Sequence, residues 1–291
     1  MATDFEKFIA EEIEKEKGLY IPVKAGMMER MTVKSAPCTS LHPNPEDEFC
    51  IPDVGPSYRI ISKYVDEINQ NQRKGKPIFE EPVIVEKVRP DGYMLLNGHH
   101  RWAAALKMGV KSIPIKIVNL PLESDIEKML ENSKHDRRVT LDLDEVVFRE
   151  AEDPEVEVLP KASLAKKYPK RLRLGIPALF HFLTKNGYDI WVYSANYYSI
   201  DDIKDYFKQY AVNVDGIITG TAKKKASSSK AAKDMEKLIA NHYPETIHID
   251  NDLVLDTKGR GAEYRELSID TSAGWSKEVI RIIGELKKEE E

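Results

Sequence analysis

Val139-Thr-Leu-Asp142-Leu-Asp144-Glu-Val-Val147 carries a short apolar run into two carboxylates set one residue apart. The run reads as a strand, and the acids as the point where the chain leaves its sheet. Side chains alternate along a strand, but at such an exit both acids can turn toward one site. That placement suits phosphoryl chemistry. One aspartate attacks phosphorus and shares a hard divalent cation with the substrate, while the second, two residues on, protonates the leaving oxygen. An isolated Asp-x-Asp pair equally marks a solvated strand-to-loop junction, so the rest of the chain has to choose between the two.

After a helix-like segment, Ile176 to Gly187, the apolar run Asp189-Ile-Trp-Val-Tyr193 ends in Ser194-Ala-Asn196. A basic, serine-rich cluster, Lys223 to Lys230, then opens a helical pattern with Met235, Leu238 and Ile239 on one face. The last strand-like run, Thr246-Ile-His-Ile-Asp250-Asn-Asp252, ends in two more carboxylates. Aspartates, hydroxyl, lysine and aspartates follow in that order, each at an element boundary. A phosphate dianion facing a carboxylate nucleophile is repelled, so such a site needs magnesium, an ammonium group and hydroxyl or amide donors. Each part has a candidate here, although any single lysine of the cluster also reads as the solvated start of a basic helix.

Residues from Arg138 to Asp270 resemble the haloacid dehalogenase superfamily of phosphohydrolases. The resemblance implies an α/β Rossmann-like domain with a parallel sheet. It implies Asp142 as nucleophile and Asp144 as general acid, the Asp144 main-chain carbonyl also binding magnesium. Ser194 corresponds to the phosphate-binding hydroxyl, Asp250 to the third metal anchor, and Asp252 to a ligand or near neighbour of the metal. Lys225 is the choice for the site lysine, with Lys224 and Lys230 as alternates. Residues 148–175 and 195–222 leave room only for a minimal cap, so the site is expected to be open or lidded by the first domain.

At 291 residues the chain is long enough for two cores. Its 41% hydrophobic and 32% charged residues describe a soluble globular protein. No run of 18 apolar residues occurs, and the start Met1-Ala-Thr-Asp-Phe-Glu-Lys lacks the layout of a signal peptide, so a cytoplasmic protein with no membrane partner is expected. Cys38 and Cys50 lack the spacing of a zinc site or disulfide framework. The formal charge of −5 argues against nucleic acid as a favoured partner.

The first half reads separately. Phe5, Ile9 and Ile13 mark an amphipathic helix ending near Gly18. Strand-like sequence from Met31 leads to the acidic, proline-rich loop His42 to Glu48, and Tyr58 to Ile68 has helical spacing. Pro82 to Val88 and Gly92 to Leu96 flank Arg-Pro-Asp as a β-hairpin. The hairpin runs into Asn97-Gly98-His99-His100-Arg101 and the helical Trp102 to Met108, and Ile113 to Val118 closes the unit as a strand. A glycine that admits close approach, unpaired N–H groups at a helix start and an arginine fork together suit an anion. The alternative is that His99 and His100 cap the helix while Arg101 pairs with a surface acid.

Residues from Met31 to Asn119 resemble the ParB/sulfiredoxin superfamily, whose mark is Gly-x-x-Arg at a helix start after a hairpin. The Gly98-His-His-Arg101 form is similar to members that bind nucleotide phosphates, including free-serine kinases. The resemblance implies phosphate or nucleotide binding by Gly98, His99, His100 and Arg101, with ATP, ADP or CTP as ligand. In the kinase relatives an early glutamate activates the substrate hydroxyl, for which Glu46 and Glu48 are candidates. Sulfiredoxin's cysteine is missing from the motif, and no helix-turn-helix follows.

The expected protein is thus an N-terminal helix (residues 1–30), an α+β ParB/sulfiredoxin-like domain with a connecting helix (31–133) and a phosphohydrolase-like domain (134–291). Its expected partner is a phosphorylated small molecule or macromolecule end, together with a nucleotide. The runner-up functions are a kinase of a small hydroxyl metabolite in the first domain and a non-catalytic binder of phosphorylated ligands.

Overall fold

The computed structural model describes residues 4–15, 20–220, 230–259 and 262–290. The chain passes between two compact mixed α/β units at Leu120–Pro121.

In the first unit, α1 (Asp4–Lys15) buries Ile9 and Ile13. It is followed by β1 (Ile21–Pro22), α2 (Met27–Arg30), β2 (Lys34–Pro37), β3 (Leu41–His42), α3 (Tyr58–Arg73), β4 (Val83–Arg89), β5 (Tyr93–Asn97), α4 (His99–Lys107) and β6 (Ser112–Ile117). The sheet order is β2-β6-β4-β5-β3, with β1 added on β4. Along β6 burial alternates, Ile113, Ile115 and Ile117 facing inward, as for a strand with one solvated face. The β4–β5 hairpin forms as its turn signal implies. Ile9 and Ile13 share one core with Trp102 and Phe49, so the amphipathic helix is part of this unit.

The second unit begins with α5 (Glu123–Glu131) and β7 (Arg137–Asp142), followed by one π-helical turn, Leu143–Val147. Next come β8 (Phe148–Arg149), β9 (Arg171–Leu172), α6 (Ile176–Lys185), β10 (Asp189–Tyr193), α7 (Ile200–Gln209) and β11 (Gly216–Ile218). The unit closes with α8 (Lys230–His242), β12 (Glu245–Ile249), β13 (Leu253–Lys258), β14 (Glu263–Ser268) and α9 (Trp275–Glu290). Its sheet runs β11-β10-β7-β12-β13-β14, the first four strands parallel and the last two antiparallel. Val139, Thr140 and Leu141 are all buried, the signature of a central parallel strand covered on both faces. Gly216 is required where β11 meets β10, because a Cβ there would lie 2.0 Å from the Trp191 ring.

Three features depart from expectation. The connecting helix α5 contributes Ile126, Met129 and Leu130 to the second core, so the units divide at Leu120–Pro121 rather than near residue 134. The antiparallel pair β13–β14 carries mixed polar and apolar side chains, exposed along most of β14, and so lacks a buried run to announce it. Within the stretch expected to hold only a minimal cap, β8 pairs with β9 as a small two-stranded ribbon. No described helix is long and apolar enough to cross a membrane.

Candidate functional site

In the second unit, connections lead from β7 outward to β10 and β11, then return across β7 to β12. That reversal of direction marks the carboxyl ends of β7 and β12 as the place where an open parallel sheet receives ligands. Asp142 ends β7 and pairs in register with Tyr193 of β10, so Ser194 follows one step beyond. Ile249 pairs with Leu141, which sets Asp250 beside Asp142 one step past the paired residues. The strand ends therefore gather Asp142, Ser194 and Asp250 along one edge.

Asp142 Oδ1 accepts from the main-chain N–H groups of Asp144 (2.7 Å) and Glu145 (2.9 Å), folding the π-helical turn back over the strand end. The turn brings the Asp144 carboxylate to Ser194, whose Oγ donates to Oδ2 at 2.5 Å. Tyr198 donates its hydroxyl to the other oxygen, Oδ1, at 2.7 Å. Burial, with Asp144 beside it, pushes the Tyr198 hydroxyl far above the usual tyrosine range. Ser194 is fully buried and faces Asp144, and its Oγ also accepts from the Asn196 N–H at 2.9 Å. Lys170, on the approach to β9, sets its ammonium 4.0 Å from Asp144 Oδ1 and 3.6 Å from Glu150. Lys224 and Lys225 lie outside the described residues, as does the side chain of Lys230, which opens α8.

On the other side of the edge, Asp250 Oδ1 accepts from Asn251 N–H at 2.6 Å, and Asp252 is exposed. Among the described residues no three His, Cys, Asp or Glu side chains gather as a metal-holding group. Magnesium does not need three. It keeps several waters and takes one or two carboxylates plus substrate oxygens. Asp142 and Asp250, adjacent in register, fit that demand.

Three groups at this edge carry little sequence signal. Tyr198 sits in a loop, Lys170 just before β9, and the pair Arg149 and Arg173 at the end of β8 and just after β9. Arg149 Nη2 (3.1 Å) and Arg173 Nη1 (2.9 Å) both donate to Asn251 Oδ1. The Arg173 guanidinium lies 4.1 Å over the Trp275 ring, and Trp275 Nε1 donates to the Asp250 carbonyl at 3.3 Å. A basic residue in a ribbon is unremarkable until the fold turns it inward.

In the first unit, Gly98 caps α4 at φ +100°, and a Cβ there would lie 2.6 Å from Val83 Cγ1. His99 is buried, and its Nε2 accepts from Asn44 N–H at 3.1 Å while Nδ1 lies 3.5 Å from Asp47 Oδ2. His100 Nε2 accepts from Ser57 N–H at 3.0 Å. His99 thus ties the acidic loop to the helix start, and His100 ties the start of α3 to it. Arg101 donates to the Glu81 carbonyl (2.7 Å) and to Asn97 Oδ1 (3.3 Å), using two of its five N–H groups within the protein. Glu46 and Glu48 are exposed, and the buried acid of that loop is Asp47.

Residues 65–133, which include this helix start, match the ParB N-terminal domain family. That stretch is ParB-like. Among solved structures, the chromosome-partitioning protein ParB from Caulobacter crescentus complexed with CTP-γ-S is 23% identical over 36% of this chain and 54% of its own, with a TM-score of 0.25. The same protein complexed to the centromeric parS site is 22% identical over 35% and 50%, with a TM-score of 0.23. A free serine kinase in complex with AMP is 15% identical over 75% of each chain, with a TM-score of 0.24. The chain spans about half the length of the ParB chains it matches, 54% and 50%. Such distant superpositions carry no argument about activity. No curated protein matches the chain.

Proposed function

We propose that the second unit is a magnesium-dependent phosphohydrolase of haloacid dehalogenase type that works through an aspartyl-phosphate on Asp142. The observation that carries this reading is the placement of Asp142, Asp144 and Asp250 at the carboxyl ends of β7 and β12, with Ser194, Tyr198 and Lys170 around the second acid. Asp142 attacks phosphorus, forming the Asp142–phosphoryl bond as the bond to the leaving oxygen breaks. Asp144 gives that oxygen its proton. A water then attacks the phosphoryl group, Asp144 takes its proton, and the Asp142 carboxylate is regenerated. Lys170 supplies positive charge close to the acids. Asp142, the Asp144 main-chain carbonyl and Asp250 would hold magnesium, with Asp252 close by. When bound, the metal offsets the negative charge shared by the carboxylates and the phosphoryl oxygens.

The test is release of phosphate from 4-nitrophenyl phosphate with no nucleotide present. Activity is expected with magnesium and is silenced by chelation. Asp142→Asn, isosteric but unable to attack, abolishes it in a protein that stays folded. A homogeneous Asp142→Asn sample with wild-type turnover removes the assignment.

For the first unit we infer phosphate or nucleotide binding at Gly98 to Arg101. The ParB-like match of residues 65–133 supports it, as does the glycine-led start of α4. Calorimetry with ATP, ADP and CTP checks this, and absence of binding at millimolar nucleotide leaves the histidines and arginine as a structural cap. Transfer of phosphate from nucleotide to a hydroxyl compound would instead make this unit a kinase.

A further inference from the structure

The β8–β9 ribbon brings two arginines together on one neutral side chain. Arg149 and Arg173 converge on one neutral acceptor, the Asn251 side-chain oxygen, and neither forms an ion pair within 4.0 Å among the described residues. Arg173 is 6% exposed and sits against Trp275. Asp153 and Glu155 act on it only from farther away, while burial first and Arg149 second pull its pKa down to about 10. Two like charges held together in a half-dry setting are costly unless an anion joins them. Each arginine donates one of five N–H groups to Asn251, so both retain donors for an oxyanion, and the guanidinium fork matches carboxylate and phosphoryl oxygens. Asn251 is the chain neighbour of Asp250, and consecutive Cα atoms stand about 3.8 Å apart, so this pair lies a short molecular reach from the edge assigned to the reacting phosphate.

We propose that Arg149 and Arg173 form a subsite for a second anionic group of the substrate. The substrate class is then a phosphomonoester bearing another oxyanion, phosphoryl or carboxylate, a few bonds from the reacting phosphorus. The proposal rests on the hydrolase reading for which phosphate is cleaved, but the binding subsite can be tested without turnover.

Three probes share one carbon skeleton: propyl phosphate, propane-1,3-diyl bisphosphate and 3-phosphooxypropanoate. In the full-length protein with magnesium, kcat/KM for at least one doubly anionic probe should exceed that for propyl phosphate by about tenfold or more, as expected for a charge-assisted contact. Whichever of the two is preferred identifies the second group as phosphoryl or carboxylate. Arg149→Gln should collapse that preference, mainly through KM. Arg173→Lys keeps the charge but loses the fork, guards against a fold lost through Arg173, and should reduce the preference as well. No preference in the wild type, or a preference that survives in both folded variants, overturns the subsite. If no probe is hydrolysed, 4-nitrophenyl phosphate included, the hydrolase reading fails on its own account. Calorimetric titration of the bisphosphate into the Asp142→Asn protein then decides the subsite: binding that weakens about tenfold on adding Arg149→Gln supports it, and no binding, or binding indifferent to Arg149, ends it.

Discussion

Each carboxylate oxygen of Asp144 receives a different hydroxyl, Ser194 on Oδ2 and Tyr198 on Oδ1. Two fixed donors set the plane of a carboxyl group that, in the proposed mechanism, gives and then takes a proton. Tyr198→Phe removes one donor and leaves the ring, which also packs edge-on to Phe148 at 5.9 Å. The protein should fold normally while kcat for 4-nitrophenyl phosphate drops about tenfold or more, the scale of a hydrogen bond to a charged group. An altered pH profile of kcat would mark the loss as one of proton transfer, and unchanged kcat and profile would reduce Tyr198 to packing. The placement of Asp142, Asp144, Ser194 and Asp250 at or just past strand ends could be read from the sequence, because strand ends can be located from apolar runs. Tyr198 and Lys170 could not. Their approach to Asp144 depends on the path of a loop and a ribbon, and neither leaves a periodic trace.

The ribbon owes its placement to α7. Tyr168 and Lys167 both donate to Asp205 Oδ2, Lys167 at 2.6 Å, and Tyr206 donates to the Lys170 carbonyl at 2.9 Å. Hydrogen bonds from Lys167 and Tyr168 hold the Asp205 carboxyl below its ordinary value of 3.8. A lowered carboxylate pKa contributes stability that is present above the unfolded value and is lost as pH falls through the folded one. The acid limb of the melting curve below about pH 4 should therefore flatten in Asp205→Asn, measured by melting temperature against pH. An acid limb identical to wild type would show that this contact does not hold the ribbon. In the first unit, α4 shows the same dependence on tertiary context. Arg101→Ala removes two hydrogen bonds from a buried guanidinium, so it should cost about 2–4 kcal/mol of stability in denaturant melts as well as any nucleotide affinity. Weaker binding without loss of stability would mean that the arginine serves the ligand alone.

Across the whole molecule, each unit has its own core, and the second is locked at the end of its sheet away from the candidate site. Asp189, 1% exposed at the start of β10, accepts from Ser133 Oγ (2.6 Å) and Tyr243 OH (2.9 Å) and meets His135 Nδ1 at 2.8 Å. Trp191 Nε1 in turn donates to Tyr243 at 3.0 Å. Asp189→Ala leaves those groups without their acceptor and should destabilise the protein by about 3–5 kcal/mol in chemical denaturation, and a loss under about 1 kcal/mol would mean that water replaces the carboxylate. Apolar spacing and turn residues were enough to read α1, α3, the β4–β5 hairpin, α4, β7, β10, β12 and the acids at the ends of β7 and β12, because local periodicity is written into the chain itself. Only the tertiary structure decided that α5 belongs to the second core, that Arg101 is held by Glu81 and Asn97, and that Arg149 and Arg173 meet at Asn251. Those outcomes depend on contacts between residues far apart in the chain, whose burial and partners no local pattern encodes.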